Sequence, residues 1–108
     1  MVEKIAFAAK SKLHHDFLLI ARTDARGTDS LDVAIKRGCA YREAGADMIF
    51  PEGLRSEDEF ITFAKECPGL LLANMTEFGK TKLLSYKQLE DIGYNIVIYP
   101  VTTQRLAM

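Results

Sequence analysis

Phe17-Leu18-Leu19-Ile20-Ala21-Arg22-Thr23-Asp24 runs from continuous apolar residues straight into polar ones, and that junction decides how the chain is read. A short apolar run of this length is the mark of a strand buried on both faces, as parallel sheets require. The same junction returns three times. Asp47-Met48-Ile49-Phe50 leads into Pro51-Glu52, Leu70-Leu71-Leu72-Ala73 into Asn74-Met75-Thr76-Glu77, and Asn95-Ile96-Val97-Ile98-Tyr99 into Pro100. Between these runs lie helical patterns, so the units read as parallel βαβ, right-handed by default. An open doubly wound sheet fits the alternation too, but it gathers its chemistry at one switch point. Polar groups at the C-terminal ends of four consecutive strands are the arrangement of a (β/α)8 barrel. The fold class is therefore α/β, a partial TIM (β/α)8 barrel of about four consecutive βα units, the C-terminal half.

The helices carry their own punctuation. Residues 1–12 place Val2, Ile5, Ala6 and Ala9 at helical spacing. Residues 30–44 place Leu31, Ala34, Ile35 and Gly38 on one face, with Gly45 as the stop. Ser56 with Glu59, and Ser85 with Gln88, have the spacing of capping boxes. The first opens a helix through Lys65 ahead of Pro68, the second a helix ended by Gly93. Residues 103–108 begin another helix.

Composition bounds the function. The chain has 108 residues, 48% hydrophobic and 27% charged, with a net charge of −1. That is one partial barrel domain over residues 1–108, since a whole barrel takes about 250 residues. A near-zero charge gives neither a nucleic-acid footprint nor a polybasic membrane surface, and no apolar run is long enough to span a bilayer. The first dozen residues lack a secretory signal pattern, so a cytoplasmic protein is expected. Cys39 and Cys67, far apart in the chain with no histidine pair near, read as small buried hydrophobes rather than nucleophiles or ligands. His14 and His15 read as surface residues of a link, and no metal site is expected among these residues.

Strand residues alternate faces. Arg22 and Asp24 share a face with Leu18 and Ile20, Glu52 with Met48 and Phe50, and Asn74 and Thr76 with Leu70 and Leu72. If those faces point inward, a guanidinium, carboxylates and two neutral hydrogen-bonding groups converge on the barrel mouth. Such a set suits an anionic substrate: arginine for a carboxylate or oxyanion, Asn and Thr for orientation, Glu as acceptor from a hydroxyl. The same residues also serve as ion pairs that merely close a barrel.

Four blocks, Ile20-Ala21-Arg22-Thr23-Asp24-Ala25, Phe50-Pro51-Glu52-Gly53, Ala73-Asn74-Met75-Thr76-Glu77-Phe78-Gly79 and Tyr99-Pro100 with Thr102 and Arg105, resemble successive signatures of the isocitrate lyase/phosphoenolpyruvate mutase superfamily. The likeness runs nearly the whole chain and is greatest to the methylisocitrate lyase branch. It implies a Mg²⁺-dependent carbon–carbon lyase acting on a small dicarboxylate or tricarboxylate. The branch splits 2-methylisocitrate to pyruvate and succinate by a retro-aldol step. In the roles so implied, Arg22 is catalytic and polarises the oxo-acid half, and Glu52 hydrogen-bonds substrate or water. Asn74, Met75, Thr76 and Arg105 belong to the segments that hold the dicarboxylate half, while Asp24 orients its neighbours. The superfamily's metal-binding aspartates and catalytic cysteine loop belong to the first half of the barrel, so the metal ligands are not expected in this chain.

Departures are modest. Thr81-Lys82 stands where the superfamily usually has Thr-Pro, and Gln104 replaces an apolar residue before Arg105. Isocitrate lyase itself fits less well, because its counterpart of the Asn74–Gly79 segment reads differently. Phosphonomutases, oxaloacetate decarboxylases and related hydrolases share much of this half, and a non-catalytic truncated homologue is the reading from outside the enzyme class. Half a barrel leaves the apolar strands around Leu19 and Val97 as free edges, which invite pairing. The expectation is a homo-oligomer, a poorly soluble fragment, or a piece of a longer protein completed by the missing half of the barrel.

Overall fold

The computed structural model describes residues 1–75, 83–100 and 106–107. Helix α1 (Val2–Lys10) precedes strand β1 (Ile20–Thr23), and a single-turn helix α2 (Ala25–Thr28) leaves it. Then come α3 (Leu31–Glu43), β2 (Met48–Pro51), α4 (Glu57–Glu66), β3 (Leu70–Asn74), α5 (Tyr86–Ile92) and β4 (Ile96–Ile98). All pairings are parallel and the sheet order is β1-β2-β3-β4. That order is the decisive feature. A doubly wound sheet reverses direction and carries helices on both faces, whereas sequential order with right-handed crossovers keeps every helix on one face. This is the half-barrel arrangement.

The core lies between that helical layer and one face of the sheet. Ala21, Ile49, Leu71 and Ala73 supply the sheet side, and Tyr41, Phe60, Phe63 and Leu89 the helix side, all buried. A fully buried Leu or Phe contributes about 1.5–3 kcal/mol each. Tyr94 donates its hydroxyl to Phe60 O at 3.0 Å and packs edge-on to the Phe60 ring, tying the α5–β4 link to α4. Burial raises the Tyr94 phenol above its ordinary pKa. Two glycines permit close packing. Gly45 has φ +119°, and a β-carbon there would stand 2.6 Å from Ala9 Cβ of α1. One on Gly38 would stand 2.9 Å from Phe63 Cζ, so α3 and α4 meet at bare backbone.

Several expectations need correction. β1 starts at Ile20, not Phe17, and is not buried on both faces: Ala21 and Thr23 are buried, while Ile20 and Arg22 are exposed. Asp47 explains the late start. Its carboxylate pairs with Lys12 and accepts the Leu19 amide at 2.9 Å, and its own amide donates to Leu19 O at 2.9 Å. The ladder is thus closed at residue 19, and Phe17 and Leu18 lie outside it, 65% and 48% exposed. The Ser56 box is half made. Ser56 Oγ accepts from Glu59 N at 3.3 Å, but the Glu59 carboxylate turns to Arg26 Nε, at 2.6 and 3.1 Å. A charged donor outcompetes a backbone amide for a carboxylate. The Ser85–Gln88 box is complete. Cys67 is buried, but Cys39 is only half-buried. The expected helix over 103–108 lies mostly outside the described residues; Leu106 and Ala107 are helical.

Candidate functional site

The two faces of the sheet differ in chemistry. In register, Ile20 lies beside Met48 and Met48 beside Leu70, while Arg22 lies beside Phe50 and Leu72 beside Ile96. These side chains share the face turned away from the helices, where Ile20, Leu70 and Ile96 are exposed. At its C-terminal rim stand Arg22 of β1, Glu52 just past β2, and Asn74 ending β3.

Each is fixed locally. The Arg22 guanidinium lies 5.1 Å from the centre of the Phe50 ring, and its Nε donates to Asp24 Oδ1 at 2.8 Å. That hydrogen bond raises the Arg22 pKa; partial burial opposes it, and the charges of Asp24 and Glu52 add to it. Asp24, at the N-cap position of α2, thus holds the arginine at the rim, which is the orienting part expected of it. Glu52 is placed by its backbone, whose amide donates to Thr23 O at 2.9 Å and prolongs the β1–β2 ladder past the last strand residue. Asn74 Nδ2 donates to Glu52 Oε2 at 3.0 Å, joining the rims of β2 and β3. The three expected residues from three strands therefore meet at one rim.

Met75 does not join them. Strand alternation turns residue 75 towards the helices, where its side chain is fully buried and its sulfur accepts the Leu84 amide at 3.3 Å. The correction is that its backbone, bonded through its amide to Ile98 O at 2.9 Å, is the part of Met75 in the sheet. Thr76 and Arg105, with Glu77, Thr81, Lys82, Thr102 and Gln104, lie outside the described residues.

Two supporting residues escaped the sequence reading. Thr23 is buried and its Oγ accepts the Ala25 amide at 3.3 Å, turning the chain from β1 into α2. Arg26 carries α2 onto α4 through Glu59 and donates to Asp29 O at 3.1 Å. A partly helical turn after a polar strand end was the available signal for Thr23. Nothing in the local pattern pairs Arg26 with a residue 33 positions away.

A guanidinium beside a carboxylate and an amide, above an apolar sheet face, can bind a carboxylate and accept a hydroxyl proton's hydrogen bond. In this chain the Arg22 and Asp24 side chains are 54% and 67% exposed. For a metal the fit fails: among the described residues no three His, Cys, Asp or Glu stand together to hold an ion. No helix among them is long and apolar enough to cross a membrane.

Known proteins share this fold. Residues 1–108 match the phosphoenolpyruvate phosphomutase family. A probable 2-methylisocitrate lyase 1 of Corynebacterium glutamicum is 58% identical over 109 residues, covering 100% of this chain and 36% of the relative. The 2-methylisocitrate lyase of Bacillus subtilis is 58% identical over 90 residues, covering 83% of this chain and 30% of the relative. The solved structure of oxaloacetate acetylhydrolase with its product oxalate superposes at a TM-score of 0.91 and 33% identity, covering 98% of this chain and 38% of that one. The chain thus spans about a third of the length of the curated relatives it matches. By name these relatives are lyases and a hydrolase of small carboxylates. With the half-barrel sheet, the rim of Arg22, Glu52 and Asn74, and a match from the first residue to the last, the chain belongs to the phosphoenolpyruvate mutase/isocitrate lyase superfamily.

Proposed function

We propose that this chain forms the C-terminal wall of a methylisocitrate lyase-like carbon–carbon lyase, cleaving 2-methylisocitrate to pyruvate and succinate. The observation that carries the reading is the linked rim: Arg22 held by Asp24 over Phe50, and Glu52 bonded to Asn74. Arg22 binds the carboxylate and oxygen-bearing carbon of the oxo-acid half and stabilises negative charge as it grows there. Glu52 accepts a hydrogen bond from the substrate hydroxyl, with Asn74 fixing its carboxylate. Asn74, the Met75 backbone, Thr76 and Arg105 hold the dicarboxylate half. In this reading Mg²⁺ is the cofactor of the whole enzyme, its ligands supplied by the first half of the barrel and not by this chain. The apolar face of Ile20, Leu70 and Ile96, with edges β1 and β4, is completed by the missing half of the barrel or by a second copy of the chain. The assigned compartment is the cytoplasm.

The likeness to oxaloacetate acetylhydrolase favours a second reading, carbon–carbon hydrolysis of an oxo-dicarboxylate at the same rim. Reconstitution decides between them. The chain is co-expressed with the parts of the Corynebacterium relative that it does not match and assayed with Mg²⁺ on 2-methylisocitrate, isocitrate and oxaloacetate, alongside its solution mass. Pyruvate and succinate from 2-methylisocitrate are expected from the assembled barrel and not from the chain alone. An assembled barrel that turns over oxaloacetate instead overturns the assignment.

A further inference from the structure

On the outer layer, away from the rim, the fold brings together two cysteines that lie far apart in the chain. Cys39 is on α3 and Cys67 caps α4 at its C-terminus. The Cys39 thiol lies 3.5 Å from Glu66 O, the carbonyl of the peptide that enters Cys67. The Cys67 sulfur lies 3.4 Å from the place a β-carbon on Gly38 would take, next to Cys39. Both sulfurs therefore lie at the seam where α3 meets the end of α4. They line one open cleft of about 300 Å³ with Arg42, Glu43 and Pro68. Cys39 is half-exposed there and Cys67 is buried. Below them Arg42 donates through one Nη to Cys67 O at 3.4 Å and Leu70 O at 3.0 Å, while its buried Nε has no partner among the described residues.

We propose that Cys39 and Cys67 form a reversible intramolecular disulfide by exchange with a small-molecule disulfide, stapling α3 to the end of α4. The asymmetry of exposure sets the order of events. The Cys39 thiolate attacks one sulfur of glutathione disulfide, forming a mixed disulfide and releasing one glutathione thiolate. Cys67 then gives up its proton and attacks Cys39 Sγ, releasing the second glutathione. Two cysteine thiols are oxidised and one external disulfide is reduced to two thiols, the two thiol protons passing to the leaving thiolates. Burial of Cys67 is no obstacle, because its attack is intramolecular. Burial pushes the Cys39 thiol up, with the neighbouring Cys67 adding to the rise, while the nearby Arg42 charge acts in the opposite sense and favours the attacking thiolate. Both sulfurs come from helices of this chain, so the pair is present whether or not the substrate reading holds.

The test is incubation of the folded chain with glutathione disulfide, alkylation of remaining thiols after unfolding, and peptide mass analysis. The wild type is expected to lose both thiols together, giving a Cys39–Cys67 peptide pair lighter by two hydrogens and restored by dithiothreitol. The Cys67→Ala variant, which lacks only the resolving sulfur, is expected to accumulate one glutathione on Cys39. In Cys39→Ser, Cys67 is expected to remain alkylatable. Stable glutathione on Cys39 in the wild type, a link only between two chains, or oxidation only after unfolding each overturns the proposal.

Discussion

Replacing Glu59 by Gln tests how the β1 exit is held in place. Glu59 accepts Arg26 Nε through both oxygens, at 2.6 and 3.1 Å, and the two side chains are only 19% and 13% exposed. The same carboxylate accepts the Arg55 amide at 3.4 Å. Gln keeps the shape and one acceptor oxygen but leaves the Arg26 charge without its counter-charge. Breaking a buried pair on one side costs about 3–5 kcal/mol, and the residual exposure here brings the expected loss to roughly 2 kcal/mol. With a urea slope of about 1–2 kcal/mol/M for a chain this size, the unfolding midpoint drops by roughly 1–2 M. The double variant Arg26→Met/Glu59→Leu removes both charges together and is expected to recover most of the loss, since apolar replacements of buried pairs are often near neutral. Urea unfolding followed by circular dichroism compares the wild type with both variants. A Glu59→Gln midpoint within about 0.3 M of wild type, a loss well under 1 kcal/mol, would refute the idea that this pair anchors α2 to α4.

Three further outcomes follow from other contacts. Gly38→Ala gains about 1 kcal/mol of helix propensity but must displace Phe63, an overpacking cost of about 1–3 kcal/mol; a net loss near 1 kcal/mol in urea unfolding is expected, and a gain would show that Phe63 yields freely. Asp47 has its pKa lowered below 3.8, first by the hydrogen bond from Lys12 and then by the Leu19 amide. Its stabilisation is therefore present above the unfolded value and fades as pH falls through the lower folded value; Asp47→Asn should flatten that part of the midpoint-against-pH curve, and an unchanged acid limb would count against it. Asn74→Ala in the reconstituted barrel removes the donor to Glu52 and should cost about 1–3 kcal/mol of transition-state binding, a drop of about 5- to 150-fold in kcat/KM; a drop smaller than twofold would remove Asn74 from the site.

Much of this was legible because the deciding signals are local. Ser85 caps where its spacing says it should, β3 occupies residues 70–74 as its apolar run suggests, and three polar strand ends meet at one rim. The misses share a cause: a partner distant in sequence overrides a local pattern. Phe17 and Leu18 have strand composition, but Asp47 ends the ladder at Leu19. Glu59 has capping-box spacing, but Arg26 claims its carboxylate. Met75 sits inside a recognisable segment, and only the alternation of faces shows that its side chain must turn inward to Leu84. Thr23 and Arg26 are quiet in the sequence because their work lies in turning and anchoring the chain, which no periodicity records.

The sequential order of the sheet also shapes how the chain reaches its fold. Every strand pairs with the next one formed, with partners roughly 25 positions apart, so no loop has to close across the length of the molecule before its contacts are won. The separation is still wide for a chain of 108 residues, and parallel sheets are slow to assemble because each crossover must close before its pairing is won. Each helix–strand unit can add to the growing edge left by the last, in the order in which a ribosome would deliver them. The growing edge that makes such vectorial assembly efficient is also the surface through which an incomplete barrel aggregates.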